Sequence, residues 1–249
     1  MNVKPLFSII TITYNASASI RPTLQSIEVQ SCKNYEYIVV DGKSTDDTLA
    51  IIEASQLTPQ LISEPDDGLY DAMNKGLEMA QGEYLIFLNA GDAFHAPDTL
   101  QNIADSIGNH RPGVIYGETA IVDAERRFIM MRRLKAPEHL TWRSFADGMV
   151  VCHQAFIARR DIAPRYDLQY RYSSDVDWCI RCMKQTDELF NTHLTLIDYL
   201  NEGETTRHHK ASLKERFRIM CRHYGYIPTV LRHVKFAIRH TIARCRGKY

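Results

Sequence analysis

The sequence predicts an α/β fold with a mostly parallel central sheet flanked by helices. Short β-branched or aromatic runs alternate with segments whose apolar residues recur at helical spacing. Successive runs end in polar clusters carrying Asn15, Asp41, Asp66 and Asp92. Alternating strands and helices require crossover connections, which set the strands parallel and bring their C-terminal ends to a common rim.

Each element follows from local chemistry. Phe7 to Thr13 is a β-branched run ending in Tyr14-Asn15-Ala16-Ser17, after which Ile20, Leu24 and Ile27 mark a helix. Tyr37 to Val40 is a second strand, closed by Asp41-Gly42-Lys43-Ser44-Thr45-Asp46-Asp47-Thr48 before Leu49, Ile51 and Ile52 resume a helix. Helix capping accounts for Ser44, Thr45, Asp47 or Thr48, but not for Asp41, which precedes the Gly where the strand gives out. Gln60 to Ser63 is a brief strand, the Pro65 to Gly68 stretch a turn, and Tyr70 to Ala80 a helix. Tyr84 to Leu88 is too short for a free-standing helix and is bounded by Gly, so it reads as a buried central strand delivering Asp92 to the sheet edge where α/β proteins bind ligands. A carboxylate after a strand also serves as an ordinary turn or cap residue, so the rim as a whole carries the argument.

Beyond Asp92, Pro97 to Ile107 is helical, and Val114 to Tyr116, Ala120 to Val122 and Phe128 to Arg132 are short strands of a mixed portion. Met149 to Ile157, containing His153 and Gln154, is expected to be another strand. Asp175 and Asp177 open a helix whose dipole they suit.

The formal charge is zero, with 30 Lys plus Arg and 30 Asp plus Glu. It is unevenly distributed: residues 207–249 hold 12 of the basic side chains and one acid, leaving 18 basic and 29 acidic before them. This divides a domain over 1–206 from a basic amphipathic helical tail over 207–249. In the tail Ile227, Val230, Leu231, Val234 and Ile238 share one side, with Arg232, Lys235 and Arg239 interleaved, as in a helix lying on an anionic membrane surface. A basic face covering the acidic body is the other reading. Scattered cysteines with no recognisable secretory leader suit a reducing cytoplasm, and no apolar run is long enough to span a bilayer.

An acidic rim binds phosphate through a divalent cation, and Mg²⁺ or Mn²⁺ held by Asp92 with substrate oxygens fits that chemistry. Asp41 and Asp66 are suited to accept hydrogen bonds from a base or ribose. No Gly-rich dinucleotide fingerprint, phosphate loop or serine elbow is present, and nothing points to nucleic acid. Metal-assisted displacement of a diphosphate leaving group is the reaction class that survives.

Four ordered motifs, running from Phe7 to Asn15, Val39 to Asp46, Ser63 to Gly76 and Phe87 to Asp92, resemble the family 2 glycosyltransferases of GT-A fold, most closely bacterial exopolysaccharide enzymes of the colanic-acid type. The resemblance implies a nucleoside-diphosphate sugar as donor, bordered by Thr13, Asn15, Asp41, Asp66, Gly68, Asn74 and Asn89. The family's Asp-x-Asp-Asp metal motif is here Asn89-Ala90-Gly91-Asp92, so Asp92 is the acid retained. The family's Glu-Asp-x-Asp motif corresponds to Ser174-Asp175-Val176-Asp177, which makes Asp175 the general base, with Asp177 in reserve, in an inverting displacement. His153 and Gln154 line the acceptor pocket or form a buried core pair. The acceptor implied is a lipid-linked saccharide, met by a cytoplasmic protein peripherally attached to the inner membrane face. A sugar-nucleotide-binding subunit without catalysis, and a nucleotidyltransferase, are the competing classes.

Overall fold

The computed structural model describes residues 4–201 and 209–234. Four strands, β1 (Phe7–Thr13), β2 (Tyr35–Asp41), β3 (Gln60–Ser63) and β4 (Tyr84–Phe87), pair in parallel in the order β3-β2-β1-β4. All residues of β1 and β4 are buried, as continuous apolar runs in a doubly covered sheet should be. The register sets Thr13 beside Asp41 and Asp41 beside Ser63, and Leu88 N–H bonds to Ile10 O at 2.9 Å. The polar segments that follow these strands therefore leave the sheet along one edge.

Helices α1 (Ile20–Glu28), α2 (Thr48–Glu53), α3 (Leu69–Met79) and α4 (Thr99–Ile107) cover this sheet. They bury apolar stripes, for example Ile20, Leu24 and Ile27 in α1, Ile51 and Ile52 (but not Leu49) in α2, and Leu100, Ile103 and Ile107 in α4.

The second half of the sheet is mixed. In order of appearance its strands are β5 (Ala93–Phe94), β6 (Val114–Val122), β7 (Phe128–Met131), β8 (Phe156–Arg159) and β9 (Leu189–Leu200). The path continues β4-β8-β6-β9-β5, with β7 paired to β6. Two expected strands are one: β6 runs through Gly117, where a Cβ would stand 2.6 Å from Leu194 O, so the close approach of β9 requires glycine. The strand expected over Met149 to Ile157 is confined to its end, because His153–Ala155 forms a 3₁₀ turn.

Helix α5 (Ser174–Met183) carries Asp175 and Asp177 in its first turn. The first helix of the basic tail, α6 (His209–Tyr224), packs against it. Glu215 accepts from the backbone N–H groups of Arg171 (2.9 Å) and Tyr172 (2.8 Å), and Ser212 Oγ lies 2.9 Å from Ser173 Oγ. A basic helix covering the acidic body therefore describes α6. Gly225 breaks the chain at φ 88°, and a further helix covers 226–234. Tyr226, Ile227, Leu231 and Val234 are exposed on it, whereas Lys235, Ile238 and Arg239 lie outside the described residues. Among the described residues no helix is long and apolar enough to cross a membrane.

Candidate active site

The rim is tied together by Asp41, which is 0% exposed. One carboxylate oxygen accepts from Thr13 Oγ1 (2.9 Å) and Ser44 Oγ, the other from Ser44 N–H (2.8 Å) and Ser63 Oγ (2.7 Å). Burial pushes its pKa up, but these donors outweigh that effect and hold it below the usual value. Asp41 thus joins the ends of three strands, and its fully partnered carboxylate is not presented to a nucleoside as expected. Asn15 is drawn into the same network: at φ 47°, its Oδ1 accepts from Thr45 N–H and its own N–H donates to Ser44 Oγ.

Asp66 is the more accessible acid. Its Oδ1 accepts from Gly68 N–H at 2.9 Å, and its Oδ2 lies over Gly42, 2.5 Å from where a Cβ would be. The Tyr14 ring, 68% exposed, borders Gly42 at 3.3 Å from the same point. Gly42 therefore forms the floor between an exposed aromatic ring and a carboxylate. Neither Gly42 nor Tyr14 was singled out by sequence reasoning, although both adjoin the strand-end residues that were. Gly68, at φ 114°, begins α3 in a conformation that favours glycine. Asn74 is buried and joins α3 to the Tyr166 backbone, donating to Tyr166 O and accepting from Tyr166 N–H. It is a clip within the fold, occupied at both ends of its amide. Asn89 Oδ1, by contrast, is buried without a hydrogen-bond partner among the described residues.

Asp92 is 5% exposed. Gln154 Nε2 donates to its Oδ2 at 2.7 Å, and Leu200 N–H donates to its Oδ1 at 3.1 Å. Burial, only partly opposed by these bonds and by Arg126, raises its pKa to about 7. A hard divalent cation calls for ionised, outward-facing oxygen ligands. Here the one retained acid is enclosed, and each of its oxygens already accepts a hydrogen bond. The residues present do not fit a resident cation at Asp92. The reason was hidden from the sequence: Gln154 arrives from a turn 62 residues away.

Asp175 has a different environment. Its Oδ1 accepts from Tyr70 Oη at 3.0 Å and from Val176 N–H at 2.9 Å, while Oδ2 has no partner among the described residues. Tyr70 is 5% exposed and stacks on Tyr166, ring centroids 5.5 Å apart. Burial first, and then the charge of Asp175, raises the phenol's pKa well above its ordinary value, so Tyr70 stays protonated and donates. The charges of both Asp92 and Asp175 bear on Tyr199, whose phenol is raised mainly by burial. Tyr199 is thus within electrostatic reach of both acids.

Two expected acceptor contacts are buried instead. His153 sits among Phe87, Tyr166 and Trp178, with Nε2 2.7 Å from Tyr166 Oη, and burial lowers its pKa to about 4. The core-pair alternative is the one that matches this packing. Asp177 is 0% exposed, held by Arg181 Nε at 2.6 Å and His223 Nε2 at 2.7 Å. It anchors α6 to α5 and has no surface on which to meet an acceptor.

Comparison with known proteins agrees with this architecture. The family model described as Glycosyl transferase family 2 matches residues 8–166. The PGL/p-HBAD biosynthesis glycosyltransferase of Mycobacterium bovis (strain BCG / Pasteur 1173P2) is 39% identical over 190 residues, covering 72% of this chain and 70% of that protein. The amylovoran biosynthesis glycosyltransferase AmsB of Erwinia amylovora is 32% identical over 197 residues, covering 72% of this chain and 64% of its own. Among solved structures, S. aureus TarS 1-349 in complex with UDP-GlcNAc superposes with a TM-score of 0.67 at 21% identity, over 86% of this chain and 64% of that one. That likeness is one of fold.

Proposed function

The chain belongs to glycosyl transferase family 2, and on that premise we propose that it transfers a sugar, with inversion, from a nucleoside-diphosphate sugar to a hydroxyl of a lipid-linked saccharide in surface-polysaccharide synthesis. One observation carries the mechanism: Asp175 has one oxygen fixed by two donors and the other without a partner among the described residues. The fixed oxygen sets the carboxylate's orientation, and the other accepts the proton of the attacking hydroxyl. As that proton moves to Asp175, the alcohol oxygen bonds to the anomeric carbon and the bond to the diphosphate breaks on the opposite face. A single in-line displacement inverts the configuration.

The donor nucleoside is assigned to the slot made by Tyr14, Gly42 and Asp66, with Thr13, Asn15 and Asp41 holding its walls from behind. Gly68 and Asn89 border the diphosphate and sugar. On the acceptor side we place Tyr199, on which the charge of Asp175 bears, and Gln154, the hydrogen-bond partner of Asp92. No step is drawn through a cation. The exposed apolar side of the helix over 226–234 supports peripheral attachment to the cytoplasmic leaflet, where a lipid-linked acceptor would be met.

The test is Asp175→Asn, measured by release of nucleoside diphosphate in the presence of a lipid-linked acceptor extract. Turnover should fall by at least roughly a hundredfold, the scale of a lost general base, with donor binding by thermal shift retained. Full activity in the Asn variant would remove the assignment. No donor-dependent release from the wild type with any acceptor would favour the non-catalytic subunit.

A further inference from the structure

Among the described residues, strand β7 is the most exposed apolar segment outside the helix over 226–234. Phe128 is 62% exposed, Ile129 43%, Met130 54% and Met131 36%. Neighbouring residues of a strand face opposite ways, so four consecutive exposed side chains mean that both faces are bare. Its one partner among the described residues is β6, and its other edge is open. A contiguous apolar surface of this kind marks an interaction site.

Its charge surroundings select the partner. Arg126 and Arg127 precede the strand, and Arg132, Arg133 and Lys135 follow it. Of the nearby acids, Asp123 and Glu125 are both paired with Arg127, each at 2.8 Å, and Glu118 of β6 accepts from Ala136 N–H at 3.2 Å. Arg133 and Lys135 make no ion pair among the described residues. A protein groove would cover one face of a strand, whereas a fluid apolar layer wets both. Headgroup depth also leaves water for the backbone groups of the open edge, which the hydrocarbon core would leave unsatisfied.

Position supplies an independent argument. Arg132 donates to Met149 O at 2.6 Å, and Leu134 Cδ1 approaches Gly148. On the other side, Arg232 of the helix over 226–234 donates to Asp147 Oδ1 at 2.6 Å. Both exposed apolar elements therefore border the segment from Asp147 to Met149. The same chain runs on to Gln154, the partner of Asp92.

We infer that the β6–β7 hairpin is a second membrane-seating element, its apolar strand lying in the headgroup layer of an anionic bilayer with Arg133 and Lys135 against lipid phosphates. Together with the helix over 226–234 it turns the acceptor side of the cleft toward the lipid surface. That orientation rests on the lipid-linked acceptor proposed above; the contact itself does not.

Flotation of the full chain with vesicles tests this, using phosphatidylcholine alone and phosphatidylcholine mixed with phosphatidylglycerol. The wild type should float with the mixed vesicles. Phe128→Ser/Met130→Ser should lower the bound fraction on the order of tenfold, while thermal shift with donor nucleotide stays unchanged. Arg133→Glu/Lys135→Glu should abolish the preference for anionic lipid without altering an apolar group. Equal flotation of the Ser variant and the wild type would overturn the inference. So would sedimentation velocity showing a wild-type dimer that the Ser variant loses, since the occupant would then be a second copy of the chain. Loss of glycosyl transfer with undiminished lipid dependence would defeat the enzymatic reading and leave this one standing.

Discussion

Replacing Asp92 by Asn should flatten a pH dependence of stability that the wild type carries. Burial lifts the pKa of this 5%-exposed acid from 3.8 to about 7. The native state therefore holds a proton that the unfolded chain releases. Its contribution is fully present below the ordinary carboxylate pKa and is lost as pH rises through about 7. Three pH units at about 1.4 kcal/mol each put the loss at roughly 4 kcal/mol. His153 works in the opposite sense: burial lowers its pKa from 6.5 to about 4, so its share is present above 6.5 and is lost as pH falls. The two windows overlap and partly cancel, which makes the difference between variant and wild type the informative quantity. In the Asp92→Asn variant the new amide keeps an oxygen for Leu200 N–H, and Gln154 can turn its own amide to accept from the introduced NH₂. Urea unfolding at about pH 4 and about pH 8 should show the variant gaining roughly 4 kcal/mol relative to the wild type across that span. Parallel stability profiles would refute the buried, protonatable carboxylate and restore Asp92 as an ionised group open to a cation.

Three further outcomes follow from the site. Tyr70→Phe removes one of the two donors fixing Asp175 and should lower kcat roughly tenfold to a hundredfold with the donor KM unchanged; an unaltered kcat would free Asp175 from any dependence on this phenol. Gly42→Ala places a methyl 2.5 Å from Asp66 Oδ2, and donor titration should show binding weakened on the order of tenfold without loss of fold. Asp177→Ala strands Arg181 and His223 in the contact between α5 and α6, and thermal unfolding should register a loss of roughly 3–5 kcal/mol.

The parallel half of the fold was readable because its information is local. Strands β1, β2 and β4 are apolar runs stopped by polar clusters, and sequential crossovers leave little freedom in how they pair. β9 escaped because its sequence mixes polar and apolar residues, and its pairing with β6 shifts register near Gly117. The expected strand around His153 failed for a related reason: its apolar residues are buried by neighbouring elements while the backbone turns at His153–Ala155. Within the site, composition and spacing named the acids but not their partners. Nothing local to Tyr70 indicates a bond to Asp175, 105 residues away, or distinguishes the enclosed Asp92 from an open one. Charge counting likewise set a basic tail apart, whereas Glu215, its one acid, is the residue that joins it to the body.

That junction bears on how the protein can be handled. Glu215 braces the two peptide groups just ahead of the helix bearing Asp175, much as a splint holds a joint from outside. A preparation trimmed at residue 206 would lose this brace along with Ser212 and His223, so its inactivity would report a slackened catalytic helix as much as a missing lipid anchor. Point changes on the outer face of the C-terminal helices keep those two effects apart.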